Sequence, residues 1–369
     1  MRFPNVDPIP VPAPVWLMKA LSLLTLALHF FAVQVLIGTL LAVCYLSYRG
    51  RSLKSSAFLS AASVVAKRLP VVMTYVINLG VPPLLFAQVL YGRALYTSSV
   101  LIAVMWISVI FLLVLVYALL YHIANHAAKG KSVAGFGLLA LLIAAGIGDV
   151  YATNMTLMLR PSVWPDMYAK TAMGLQAPPH DPTTVPRWLF VVLGGFLVGG
   201  IWTALYGNVS TVDDAAKTAL RKTGAGMAAL GGLLQLGTGY WVYSTQPESV
   251  QEGLHTAWYT IGAGLWGVGV LAAFLVALAL LAAKKANPFV PIVGCVCGFL
   301  GIAGAVIYRD GIRDVTLKAA GYNVWDRVEN SNWFVIGLFL LLFVLGLAAI
   351  AWLTSVMKNA NSISEQVNA

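Results

Sequence analysis

Long apolar stretches separated by short polar connections dominate this chain of 369 residues. A membrane core about 30 Å thick is crossed by roughly 20 apolar residues in a helix. Nine stretches reach that length, at about residues 17–47, 70–92, 97–124, 133–159, 187–208, 223–246, 254–283, 288–308 and 332–357. We therefore predict an all-α fold, a polytopic transmembrane helix bundle with nine spans.

The charged residues of the connections fall into two groups, and this division predicts the orientation of the bundle. Connections after the odd-numbered spans are rich in lysine and arginine, whereas those after the fourth, sixth and eighth spans together carry both acidic and basic residues. Cytoplasmic loops carry an excess of Lys and Arg. We therefore predict an N-terminus outside and a C-terminus in the cytoplasm.

The same pattern predicts three segments: a Pro-rich outer lead at 1–16, a single transmembrane helical domain at 17–357 and a cytoplasmic tail at 358–369. The largest outer loops are 160–186 and 309–331. The RDGIRD motif that opens the second loop could extend the eighth span outward. Two interpretations of its charges stay open: a solvated face, which is the more common case, or an interfacial site that contacts a quinone head group, haem propionates or a partner subunit.

Composition supports a membrane protein. Hydrophobic residues make up 60% of the chain and charged residues 10%, against about a quarter charged in soluble domains. The net charge of +10 comes from basic residues in short loops and forms no continuous stripe. Loop charge on the cytoplasmic side explains it better than nucleic-acid binding does, so we predict no nucleic-acid partner.

His29 lies near the middle of the first apolar stretch, LMKALSLLTLALHFFAVQVLIGTLLAVCYL. A polar ring inside a membrane needs a partner, so such residues are often functional. Two interpretations stay open: a hydrogen bond to a neighbouring helix, or axial ligation of a haem b iron. The Gly-rich segments 193–200 and 262–269 would allow helices to approach closely around such a group.

Other ionisable groups are weaker candidates. His255 opens the seventh span on the same side as His29, where it is a second ligand, a quinol partner or an interfacial residue. Asp149 is the one acidic residue deep in a predicted span, where it orients an imidazole, passes a proton or bonds to backbone. His122 and His126 share a helical face but lack a third ligand, which favours an interfacial position.

The first span, in LTLALHFFAVQVLIGTLLAVCYLS, resembles the first helix of subunit I of the cytochrome bd-type quinol oxidases, where a Tyr-His-Phe-like step precedes a Gly-containing run. Segment 152–164 (ATNMTLMLRPSVW) is similar to the end of that family's fourth span. PRWLFVVLGGFLVGGIW resembles its small-residue-rich fifth helix. The resemblance implies nine spans in a bacterial inner membrane, an outside N-terminus and His29 as an axial haem ligand.

The chain departs from that family at several positions. Phe190 stands where the second haem histidine falls, and Trp258, Tyr259 and Thr260 stand where a methionine ligand is expected. The connection 246–253 is too short for the family's quinol-binding loop. The resemblance therefore implies a degenerate relative that holds one haem or none.

These observations predict an integral membrane subunit of a respiratory electron-transfer complex, linked to quinol, haem b or both. It would pass electrons to a periplasmic c-type cytochrome or another redox subunit. His29 and His255 are the predicted cofactor-binding residues, with His29 on the haem iron, and Asp149, Arg309 and Arg313 are the predicted catalytic residues. Two alternatives stay open: a cofactor-free membrane anchor that docks a partner through 309–331, and a transporter, which the lack of a recognisable inverted repeat disfavours.

Overall fold

A computed structural model describes residues 10–171 and 173–367, and the chain is almost entirely helical there. No β-strand forms in this part of the chain, although one isolated bridge pairs Val11 with Glu329. The α-helices are α1 (Val15–Ser52), α2 (Ser56–Ala66), α3 (Leu69–Leu101), α4 (Ala103–Ala128), α5 (Ala134–Leu157), α6 (Trp164–Lys170), α7 (Thr184–Val209), α8 (Asp214–Ser244), α9 (Glu248–Gly253), α10 (Ala257–Ala282), α11 (Phe289–Ala319) and α12 (Trp333–Val367). Short 3₁₀ turns occur at Pro161–Val163 and Val324–Asp326.

Seven helical segments of the described chain are long and apolar enough to cross a membrane. They are α1, the segment 56–101 that contains α2 and α3, and α4, α5, α7, α10 and α11. Large apolar side chains such as Ile110, Phe111 and Val114 of α4 are exposed on the outside of the bundle, as lipid contact requires. The prediction of an all-α fold is therefore confirmed for the described residues, together with the coarser prediction of helices long and apolar enough to span a membrane. Helices also occupy the predicted spans 223–246 (α8) and 332–357 (α12), which are not among the seven.

Several helix ends differ from the predicted ones. The predicted gap between the second and third spans is helical, because α3 runs to Leu101 with a kink at Tyr91. Helix α11 continues to Ala319, so the RDGIRD motif is helical and the second outer loop begins at residue 320. Residues 1–9 of the predicted lead and residues 368–369 of the predicted tail lie outside the described residues, and α12 includes the rest of that tail to Val367.

Small residues let the central helices touch backbone to backbone. A Cβ atom added to Gly38 of α1 would stand 2.0 Å from the carbonyl oxygen of Gly195 in α7. Gly200 of α7 meets α8 in the same way, and Gly269 of α10 meets Gly301 of α11. Close packing of this kind replaces the hydrophobic effect as a driving force between helices in lipid. The glycines of segment 193–200 thus serve helix contacts.

The two ends of the bundle carry different polar contacts. At one end, where the basic connections lie, the Arg68 guanidinium stands 4.9 Å from the Tyr206 ring, and the Asn287 backbone N–H donates to Asn208 at 2.9 Å. At the opposite end, the Val15 backbone N–H donates to the Glu329 carboxylate at 2.8 Å. The opening segment and the connection after α11 therefore meet at the end that lacks the basic loops.

Candidate functional site

A cavity of about 590 Å³ opens in the half of the bundle near Glu329. Its wall comes from α1, α7, α8, α10 and α11, with one side chain from α9. Most of the lining is apolar, and a few polar side chains converge on it, as in many small-molecule sites. Those with an amide or a charge-bearing group are Gln34, Arg187, Gln235, Gln251, His255 and Arg309.

Local packing holds the polar wall in place. The Arg309 guanidinium lies 5.9 Å from the centre of the Phe30 ring, in the range of a cation–π contact. Gln235 donates from Nε2 to the carbonyl oxygen of Phe190 at 2.7 Å. A Cβ atom on Gly239 would stand 2.2 Å from the Trp266 ring, so the glycine makes room for that indole beside the cavity.

Several hydrogen-bond donors along this wall have no acceptor within the described chain. The Trp266 indole Nε1 and the Arg187 Nε are buried without a partner. Arg187 uses Nη2 to donate to Gln246 at 2.9 Å. Buried polar groups in folded proteins are nearly always satisfied, and each unsatisfied one costs about 1–3 kcal/mol. These two donors beside the cavity are therefore available to a ligand that supplies acceptors.

The cavity wall includes exposed residues on α8 and near the start of α10, which form the rim of an opening at the bundle surface. Tyr240 is 71% exposed and Leu236 is 39% exposed, and both line the cavity from α8. His255 and Thr260 are exposed on the other side of the opening. Exposed apolar side chains such as Ile261 lie beside this rim.

A buried cluster of charges lies next to the cavity along α11. Lys19 Nζ stands 2.5 Å from Asp310 and 2.7 Å from Asp314. The Tyr91 hydroxyl donates to Asp314 at 2.8 Å, and Arg313 approaches Asp310 at 4.0 Å and lies over the Tyr91 ring. The three α11 residues are 6–9% exposed and Lys19 is 5% exposed, so the solvated-face interpretation of RDGIRD is wrong.

Aromatic side chains from α10 and from the connection after α11 also contact this cluster. The Trp325 indole donates to Asp314 at 3.3 Å, and the Tyr259 hydroxyl lies 3.4 Å from the same carboxylate. The Tyr322 hydroxyl donates to the carbonyl oxygen of Leu90, one residue before the α3 kink. The charges of the two aspartates are thus balanced by Lys19 and Arg313. Hydrogen bonds to the carboxylate oxygens complete the cluster, as buried ion pairs require.

His29 lies outside this cavity wall, on the side of α1 that faces α3. Its Nδ1 is 3.1 Å from the carbonyl oxygen of Val76, and the ring edge packs against Gly80. The hydrogen bond to a neighbouring helix is therefore present. Metal-bound histidines make the same bond with their second nitrogen, so the arrangement leaves Nε2 as the atom able to bind an iron.

The structure separates the other predicted residues. His255 and Arg309 share the cavity, whereas Arg313 belongs to the ion cluster. Asp149 is half-buried on α5, and no ion pair or hydrogen bond of its carboxylate occurs within the described residues. His122 and His126 stack at 3.9 Å, and no group of three metal-binding side chains forms in the described chain.

Sequence reasoning missed several residues of both sites. Lys19 and Tyr91 of the cluster were not predicted, nor were the amides Gln34 and Gln235 in the cavity wall. A signal was present for the lysine, because two acids beside an apolar helix need a cation. The amides stand out as polar side chains in otherwise apolar helices.

Comparison of the chain with models of known protein families gives no match, and comparison with curated proteins gives none either. The resemblance to the cytochrome bd-type oxidases therefore stays a prediction.

Proposed function

We propose that this chain is an integral membrane subunit of a respiratory electron-transfer complex and that it binds a quinone or quinol in the cavity. The observation that carries the proposal is the pairing of an apolar cavity of about 590 Å³ with the unpartnered donors Trp266 and Arg187. A quinone combines an apolar ring and tail with carbonyl oxygens that accept hydrogen bonds. Its apolar parts suit the apolar lining of the cavity, and its oxygens suit the unpartnered donors.

The residues of the wall divide into two roles under this proposal. Arg309, Gln34 and Trp266 offer donors to the oxygens of the head group and so orient the ring. Leu236 and Tyr240 form an apolar side of the opening, where a hydrocarbon tail leaves toward lipid. A bound quinone supplies the redox chemistry, while the protein supplies position and electrostatics. Arg313 is a positioning residue, because it lies outside the cavity wall and pairs with Asp310, the neighbour of Arg309.

The proposal includes nine spans, with the N-terminus outside and the C-terminus in the cytoplasm of a bacterial cell. Helix α8 supports the sixth span, since it starts near the basic loops and ends where Gln246 accepts from Arg187 at the opposite end. In this orientation the cavity lies in the outer half of the inner membrane. Electrons would leave toward a periplasmic c-type cytochrome or another redox subunit.

A haem b is the second cofactor of the proposal. His29 would hold it through Nε2, because the bond of Nδ1 to Val76 fixes the ring. Asp149 stays a proposed proton-handling residue on α5. The cofactor-free anchor has less support, because Arg313 is 6% exposed and pairs with Asp310, so this arginine contacts its own chain.

Binding of a quinone to the purified protein in lipid nanodiscs tests the proposal. We expect saturable binding of a short-chain quinone, measured by quenching of tryptophan fluorescence, with most of the signal lost in Trp266→Phe. Arg309→Gln should weaken binding about tenfold or more, because a hydrogen bond from a charged donor contributes roughly 1.5–3 kcal/mol. Arg51→Gln, which removes an exposed arginine outside the cavity wall, should leave binding unchanged.

A second variant separates loss of binding from loss of folding. Ala305→Leu adds volume to the cavity wall and changes no charge, so it should also weaken quinone binding. Ala279→Leu, at an exposed position of α10, is its control. Binding that cannot be saturated, or binding that stays equal in Arg309→Gln and Ala305→Leu, would refute the quinone site.

A further inference from the structure

The charge of the cavity wall is one-sided. Arg187 and Arg309 line the cavity, and none of the described lining residues is an aspartate or glutamate. The acids near the two arginines have other partners: Asp310 bonds to Lys19 at 2.5 Å, and Asp181 bonds to Arg160 at 3.2 Å. The arginine wall, defined here as Arg187 and Arg309, therefore faces the cavity without a carboxylate of its own.

Neighbouring groups accept only some of the hydrogen bonds that the arginine wall can donate. Arg187 gives one bond to the neutral amide of Gln246 and keeps Nε without an acceptor. Arg309 lies over the Phe30 ring and makes no hydrogen bond within the described chain. Charged groups in an apolar environment are costly unless an opposite charge is near. A neutral ring ligand would accept hydrogen bonds from these donors but leave the positive charges of the two arginines unpaired.

We propose that the arginine wall makes the cavity select ring ligands whose head group carries a negative charge when bound. This inference rests on the proposed quinone site and names the charge state of its ligand. Charge-assisted hydrogen bonds are shorter and stronger than neutral ones, and a guanidinium presents paired donors that suit an oxyanion. The unpartnered Trp266 indole adds a further donor to the same head group.

Two ligands that differ in charge and by a single methyl group test this inference. The first is an alkyl-substituted hydroxynaphthoquinone, whose acidic hydroxyl is ionised at neutral pH, and the second is its methyl ether, which is neutral. In nanodiscs of uncharged lipid we expect the anion to bind the wild-type protein about tenfold or more tightly than the ether. Arg187→Gln and Arg309→Gln should each reduce this preference, and the double variant should abolish it.

The control variants keep charge or remove it elsewhere. Arg309→Lys retains the charge and should keep part of the preference, whereas Arg51→Gln, at an exposed position outside the cavity wall, should keep all of it. Equal binding of the two ligands to the wild-type protein would overturn charge selection and leave the quinone site standing. Failure of both ligands to bind would overturn the quinone site itself. A preference that persists in the double variant would show that the arginine wall is not its source.

Discussion

Lys19 and Asp314 are 295 positions apart in the chain, yet the lysine Nζ stands 2.7 Å from Oδ2 and 2.8 Å from Oδ1 of the carboxylate. This pair joins the first turns of α1 to the last turns of α11. The Tyr91 hydroxyl bonds to both residues at the kink of α3. Three helices are therefore fastened by buried charge at the end of the bundle where the cavity lies.

Replacement of Lys19 by methionine should strongly destabilise the protein. The substitution keeps an unbranched side chain of similar shape but leaves Asp310 and Asp314 buried without their main cation. Breaking a buried ion pair from one side costs about 3–5 kcal/mol. We expect a clear fall in the thermal unfolding midpoint of the protein in detergent, measured by differential scanning fluorimetry.

Two further variants identify the cause of that fall. Lys170→Met removes an exposed lysine of α6 and should not change the midpoint. Lys19→Met combined with Asp314→Asn should recover part of the loss, because the pair is coupled and one unpaired charge is gone. If Lys19→Met unfolds at the same temperature as Lys170→Met, the ion cluster does not stabilise the bundle.

Gly38→Ala should loosen the contact between α1 and α7. The new methyl group would stand 2.0 Å from the Gly195 oxygen and 2.6 Å from the Gly199 Cα, and backbone atoms cannot rotate away. Overpacking of this kind costs about 1–3 kcal/mol. Gly264→Ala on α10 meets nothing within 4 Å and should be neutral or slightly stabilising. Equal unfolding midpoints for the two variants would contradict the close contact of these helices.

Sequence patterning predicts the helices well, because apolar length alone specifies a membrane-spanning helix. It predicts their ends less well. The predicted eighth span ends at residue 308, with RDGIRD as a possible extension, because the motif's charges favour a solvated position; in the structure Lys19 pairs with its acids from a distant part of the chain. Pairings between remote residues leave no local pattern, so the ion cluster could not be predicted from spacing.

The cavity, like the ion cluster, could be predicted from the sequence only in part. His255 and Arg309 were selected as isolated polar residues, and the structure places both in one wall. The Gly-rich segment 262–269 is predicted to let helices approach closely around a cofactor, and Gly262 and Gly269 do pack closely against α11. The cavity itself lies beside the polar side chains Gln34 and Gln235, and composition does not specify such a gap.

Labelling of single cysteines should reveal the orientation of the bundle. In a background with Cys44, Cys295 and Cys297 changed to alanine, we place one cysteine at Lys131 or at His180, both exposed. The basic loops belong in the cytoplasm by the positive-inside rule. A membrane-impermeant maleimide should therefore label His180→Cys in intact cells and Lys131→Cys only after permeabilisation. The reverse result would invert the proposed orientation and put the cavity in the inner half.

His29→Ala should abolish any haem b signal of the purified protein. The imidazole Nδ1 bonds to the Val76 carbonyl, so Nε2 is the ligand atom, and an alanine removes it. The measurement is a reduced-minus-oxidised absorption spectrum, with His180→Ala, an exposed loop histidine, as the matched control. Because His29 lies outside the cavity wall, quinone binding should survive the substitution. A haem signal that persists in His29→Ala would show that another residue binds the iron. A wild-type spectrum without haem would leave the quinone site as the sole proposed cofactor site.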